Sequence, residues 1–173
     1  VTGVVSIGCG VLLSSILAAS VLGKVRNLPS LMNSLIALGF ARGRVSSCLA
    51  GMALVAEAGT LGIFIVSPVA GREAAFLAFA LSTGLLTAFT LTIIIALKRG
   101  LIVRCACFGK GGEVFSRRHV ARNMALVLAA LAGGGATACM GEVDWRLVPG
   151  PVLTGIVGAT FLIFIDDLVD LFS

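Results

Sequence analysis

Five times along this chain an apolar run approaches the length of a bilayer crossing, over residues 4–22, 47–66, 74–97, 120–139 and 152–172. A helix rising 1.5 Å per residue needs about 20 residues to traverse a hydrocarbon core of roughly 30 Å. The pattern predicts an all-α, polytopic membrane helical bundle with five transmembrane helices, forming a single integral membrane domain over residues 1–173. Composition agrees: 58% of residues are hydrophobic and 12% charged, about half the charged fraction of a soluble domain. The 22 glycines, with Ser and Thr spread through the apolar runs, suit helices that pack closely in lipid. The first run reads as a span rather than a signal peptide, because no basic residue precedes it and it is too long for an h-region. The net charge of +5 resides in short connecting segments with no soluble domain around them, which excludes a nucleic-acid binder.

The connecting segments set an expected orientation. Lys24, Arg26, Arg42 and Arg44 lie between the first two runs without an acid, and Lys98, Arg99, Arg104, Lys110, Arg117 and Arg118 lie between the third and fourth against Glu113 alone. The alternate connections hold Arg72 with Glu73, and Arg146 with Glu142 and Asp144. The Lys/Arg bias makes the first set cytoplasmic. The expected protein is therefore a multi-pass protein of the inner (plasma) membrane, with its amino terminus outside and its carboxyl terminus inside. Within the first basic connection, Leu31, Leu35 and Leu38 recur at helical spacing after Pro29 and Ser30. They predict an amphipathic helix over 30–40, lying at the interface or serving as a packed linker.

The second basic connection carries Arg104-Cys105-Ala106-Cys107-Phe108-Gly109-Lys110. Cysteines one residue apart diverge on a helix but approach one another in extended or turn backbone, and Gly109, Gly111 and Gly112 favour a turn. A disulfide closing so small a ring is strained and easily reduced, which suits exchange better than scaffolding. Arg104, Lys110, Arg117 and Arg118, with the start of the fourth helix if Ser116 caps it, favour thiolate over thiol. Cys105 and Cys107 are thus the candidate catalytic pair, supported by Arg104, Gly109 and Lys110; two inert loop cysteines are the plainer alternative. Together with His119 they make three ligands where a structural zinc site takes four, so no metal is expected.

Three further cysteines are secondary candidates. Cys48 opens the second span on the cytoplasmic side, within reach of the pair, while Cys9 and Cys139 lie toward the outer face at depths that permit a bridge; small core thiols are the alternative. Glu57 lies near the middle of the second span, where an ionised carboxylate is costly unless paired or hydrated. It is expected to face the bundle interior, with Ser82, Thr83, Thr87 and Thr90 as candidate partners, and either to serve packing or to handle protons or a quinone. Asp166 and Asp167, near the inner end of the last run, are candidate partners for Arg122.

Several segments together resemble the methylamine utilisation protein MauE family, among DoxX-like small membrane proteins: Gly23-Lys24-Val25-Arg26-Asn27-Leu28-Pro29, Ala56-Glu57-Ala58-Gly59, Arg99-Gly100 followed by Cys105-Ala106-Cys107-Phe108-Gly109, and Ala121-Arg122-Asn123. The resemblance implies a role in maturing a disulfide-rich client, the small subunit of methylamine dehydrogenase, beside a thioredoxin-like partner. The family's Cys-Gly-Cys-Phe-Gly cysteines map onto Cys105 and Cys107. Ala106 departs from that pattern, restricting the turn but leaving both sulfurs. Glu57, Arg122 and Asn123 enter the candidate site through the same resemblance.

These readings converge on a membrane thiol-disulfide redox or maturation factor. A non-enzymatic assembly or scaffold subunit of a larger complex is the alternative, followed by a quinone-linked accessory subunit or a small transporter. No dinucleotide fingerprint or haem attachment motif is present, so no resident cofactor is expected, a quinone being the alternative. Maturation of an exported client wants chemistry outside, whereas the charge bias puts the cysteine pair inside. Either the topology is inverted or electrons pass between the two faces.

Overall fold

The computed structural model of the protein describes residues 1–39, 44–101, 104–105, 113–114, 116–139 and 148–171; for 104–105, 113–114 and 165–171 it describes the backbone alone. Six helices and one two-stranded ladder follow in order: α1 (Thr2–Arg26), α2 (Leu28–Ala37), α3 (Arg44–Ala70), α4 (Arg72–Lys98), β1 (Arg104–Cys105), β2 (Glu113–Val114), α5 (Arg117–Ala138) and α6 (Pro149–Leu171). The helices α1, α3, α4 and α5 are each long and apolar enough to cross a membrane, and α6 adds a further helix of 23 residues. The chain is an all-α, polytopic membrane helical bundle. Helices suit this solvent because hydrocarbon offers no partner to an open backbone N–H or C=O.

Helix ends follow from local chemistry. Pro68, inside the last turns of α3, has no N–H to give the Phe64 carbonyl; Ser67 Oγ donates to that carbonyl instead, at 2.8 Å. Gly71, with φ +93°, turns the chain directly from α3 into α4, a backbone state that a side chain disfavours. At the other end of α4, Gly100 adopts φ +63°. There the Leu101 N–H donates to the Ala96 carbonyl at 3.0 Å and the Gly100 N–H to Leu97 at 3.2 Å, the paired closing bonds of a Schellman motif. Leu101 packs against the cluster of Ile93 and Ala96. The chain thus leaves α4 sharply into the ladder, in which Arg104 pairs with Val114 and Cys105 with Glu113, antiparallel.

Contacts fix the helix directions. Along α1, Ser6 meets Thr137 of α5 and Cys9 lies against Gly133, so α1 and α5 are antiparallel. Gly10 faces Phe64 while Ser20 bonds Glu57, so α1 and α3 are antiparallel too. Gly8 meets Pro151, and Leu12 approaches Gly158, so α6 runs parallel to α1. The core gathers around α1: Leu13, Ile16 and Leu17 pack with Phe64, Ala78, Phe79, Leu126, Ala130 and Ala159. Phe64 and Phe79 meet edge to face, with ring centroids 5.2 Å apart. Small residues permit the close approaches. A Cβ at Gly155 would lie 2.8 Å from the Gly8 carbonyl oxygen, and one at Gly133 would lie 2.6 Å from Phe79 Cζ. Large apolar side chains such as Met52, Val55, Ile65, Leu128 and Val157 are exposed on the outer surface, as a lipid-facing surface requires.

The expected amphipathic helix is present but shifted, over Leu28–Ala37 rather than 30–40. Pro29 sits in its first turn, where its missing N–H costs nothing. Its Leu31 is buried, and α2 packs against α3 and β1.

Candidate functional site

The C-terminal turns of α1 supply an unusual pair of residues for a membrane core. Ser20 and Lys24 are one helical turn apart and on one face, and that face meets the middle of α3. Lys24 is 0% exposed and Glu57 4%. The Lys24 ammonium forms a direct ion pair with Glu57 Oε1 and donates to Ser20 Oγ at 2.9 Å. The same hydroxyl donates to Glu57 Oε2 at 3.1 Å. From α4, the Phe89 ring centroid lies 4.6 Å from Nζ, within cation-π range. Carboxylate, hydroxyl and ring thus all lie against the one ammonium. Burial of two charges is costly in lipid, and the closed set of partners is what makes it tolerable.

A cavity of about 50 Å³ adjoins this pair, walled by α1, α3, α4 and α5. Its apolar wall includes Ile16, Leu17, Leu85, Leu86 and Leu126, and its polar groups are Ser20, Glu57, His119, Arg122 and Asn123. The last three come from the opening turns of α5 and are all buried. His119 is fixed by its own helix start: Nδ1 lies 2.9 Å from the hydroxyl of Ser116, the N-cap residue of α5. That N-cap follows β2 closely, so the cavity and the cysteine-bearing ladder share one end of the bundle.

The expected site residues fall into distinct groups. Glu57, Arg122 and Asn123 come together around one cavity. Cys105 lies on β1, opposite Glu113, with Arg104 beside it on the same strand. Cys107, Gly109 and Lys110 lie outside the described residues, as do the side chains of Asp166 and Asp167. Glu57 does not bond the α4 hydroxyls expected for it. Thr83 and Thr90 donate to carbonyls of their own helix, at 2.9 Å and 2.7 Å, Ser82 Oγ is buried without a described hydrogen-bond partner, and Thr87 is exposed. Cys9, Cys48 and Cys139 are free thiols, and Cys48 is exposed on α3. Cys9 is level with Gly133, whereas the Cys139 carbonyl receives Thr2 Oγ1 at 3.5 Å. The step from Thr2 to Cys9 is roughly 10 Å of helix, and a disulfide tolerates at most about 7 Å between Cα atoms. Among the described residues, no group of three His, Cys, Asp or Glu is placed to hold a metal ion.

Sequence reasoning missed four members of this site. In sequence Lys24 belongs to the basic connection, His119 stands out only as a third metal ligand, and Ser20 and Phe89 carry no distinguishing mark. One signal was available: a cation near the end of one helix and a lone acid inside the next long, antiparallel one are a pair seeking each other.

The segments that carried the family resemblance contribute Lys24, Glu57, Arg122 and Asn123 to this one site. No curated protein and no solved structure matches the chain. The family model described as Methylamine utilisation protein MauE matches residues 2–136, a range that takes in every residue of the cavity as well as Cys105 and Cys107, and the chain belongs to that family.

Proposed function

We propose that the protein is a membrane thiol-disulfide maturation factor in which Cys105 and Cys107 exchange with a thioredoxin-like partner on behalf of a disulfide-containing client. The observation that carries this reading is the extended backbone at Cys105, paired with Glu113 at the end of the bundle, in a chain of this family. Extended backbone is the conformation in which cysteines one residue apart approach each other. In the exchange, one thiolate attacks a sulfur of the partner disulfide and expels the other partner sulfur as thiolate. The second cysteine then attacks the mixed disulfide, so that the pair ends oxidised and the partner reduced; the reverse sequence reduces the pair. Arg104, Lys110, Arg117 and Arg118 favour the attacking thiolate.

In this reading α6 is the fifth span. The amino terminus lies outside the inner membrane, and the carboxyl terminus and cysteine pair face the cytoplasm, as the Lys/Arg bias directs. Two experiments test it. In the Cys107→Ser protein, the mixed disulfide with the redoxin accumulates and is released by reductant. Undiminished client maturation in that variant makes the cysteines structural and the protein an assembly platform. An impermeant thiol reagent applied to intact cells leaves Cys105 and Cys107 unlabelled until the membrane is permeabilised; labelling without permeabilisation inverts the topology.

A further inference from the structure

We propose that the cavity among α1, α3, α4 and α5 is a hydrated proton relay, in which water joins the Lys24–Glu57 pair to His119. This goes beyond the reading above, giving Glu57 a route to the end of the bundle, and rests on no cysteine chemistry.

Size decides the occupant. A volume of about 50 Å³ accommodates roughly three to five waters, at 10–15 Å³ of probe-occupied volume each. It is about a third of the ~150 Å³ that encloses a benzene ring. Most of the lining is apolar, so hydration rests on the polar residues that border the space. A buried water needs two to four polar partners, and Ser20, Glu57, His119, Arg122 and Asn123 all border the space.

The two ends of the relay are built differently. At the inner end Ser20 already links both members of the ion pair, accepting from Lys24 and donating to Glu57. At the end nearer the cysteine-bearing ladder the His119 ring is hydrogen-bonded to Ser116, which is half-buried and marks the start of α5. A proton taken up by the imidazole passes through water to a Glu57 oxygen. The carboxylate is neutralised, the imidazole returns to its neutral form, and the cluster retains the added positive charge. The charged and titratable groups facing this path among the described residues are Lys24 on α1, Glu57 on α3, and His119 and Arg122 on α5; α4 contributes the Phe89 ring.

The test uses the full chain in lipid nanodiscs with Cys105→Ser and Cys107→Ser, so its outcome is independent of thiol exchange. Radiolytic hydroxyl-radical footprinting labels side chains beside internal water. Leu13 and Leu126 are equally buried, each 1% exposed, but only Leu126 lines the cavity. Leu126 and Leu17 are expected to be labelled at least five-fold faster than Leu13 and Phe79; equal rates mean a dry cavity and overturn the proposal. His119 is the chain's only histidine, so ¹⁵N-histidine labelling gives a single imidazole to observe. Magnetisation transfer from water to the ring is expected in the parent, and Glu57→Gln is expected to move the ring nitrogen shifts. Absence of transfer, or shifts unchanged by Glu57→Gln, overturns the relay. Should Glu57→Gln fail to fold, the milder Ser20→Ala supplies the same comparison at the other side of the pair.

Discussion

Replacing Lys24 with Met removes the ammonium while keeping an unbranched apolar stem beside Phe89. Glu57 is then left in the bundle core with Ser20 Oγ as its remaining described donor. Removing one member of a buried ion pair costs about 3–5 kcal/mol, because the other charge stays behind. The lost cation-π contact adds about 0.5–2 kcal/mol, partly recovered by a sulfur-ring contact from Met. Lys24→Met should therefore destabilise by about 3–5 kcal/mol at pH 7. Glu57→Met should cost a comparable amount by stranding the ammonium. The double variant should return to within about 1 kcal/mol of the parent, since replacing both charges by apolar groups leaves nothing unpaired. Reversible SDS unfolding in mixed micelles measures all four corners of the cycle. Single variants that each lose less than about 1 kcal/mol, with additive effects in the double, would refute the reasoning, because they would mean that the pair is neither buried nor coupled.

Gly133→Ala should destabilise by about 1–3 kcal/mol, the usual cost of overpacking, because the new Cβ meets the Phe79 ring and lies 2.9 Å from Cys9 Cβ. Phe79→Leu in the same chain should restore part of that loss in the same unfolding assay. Gly155→Ala should cost a similar amount but resist rescue by Val11→Ala, since its nearest neighbour is the Gly8 carbonyl oxygen at 2.8 Å, which no side-chain trimming removes. Oxidation of a chain retaining only Cys9 and Cys139 should give no internally bridged species by mass spectrometry, the two lying at different levels of the α1–α5 contact.

Much of the bundle was legible because lipid simplifies the code. The five apolar runs expected to span fall on α1, α3, α4, α5 and α6, each beginning two or three residues inside its helix. The shortfall has a physical cause: α1 runs on through Lys24 to Arg26 and α3 begins at Arg44, and a hydropathy reading stops at charges that helices pass through. Glu57 stood out as a costly acid inside a span, yet its partner did not, because Lys24 resembled an ordinary flanking cation until the direction and register of α3 were known. The α4 hydroxyls were attractive partners on depth alone. Thr83 and Thr90 instead satisfy themselves on their own helix, as helical hydroxyls commonly do. Cys9 and Cys139 illustrate the same limit, since similar depth in sequence terms concealed an axial offset visible only in the packing of α1 on α5.

The Lys24–Glu57 pair has a consequence for how the protein is made. Lys24 lies in the last turn of α1, where a newly inserted helix can extend its side chain to the lipid head groups. Glu57 reaches the membrane only when α3 does. The first hairpin therefore enters the bilayer with two mutually complementary liabilities, and docking α3 on α1 discharges both at once. A single contact thus makes correct pairing of the first two long helices the step that commits the nascent chain, before α4 and α5 arrive to complete the cavity around it.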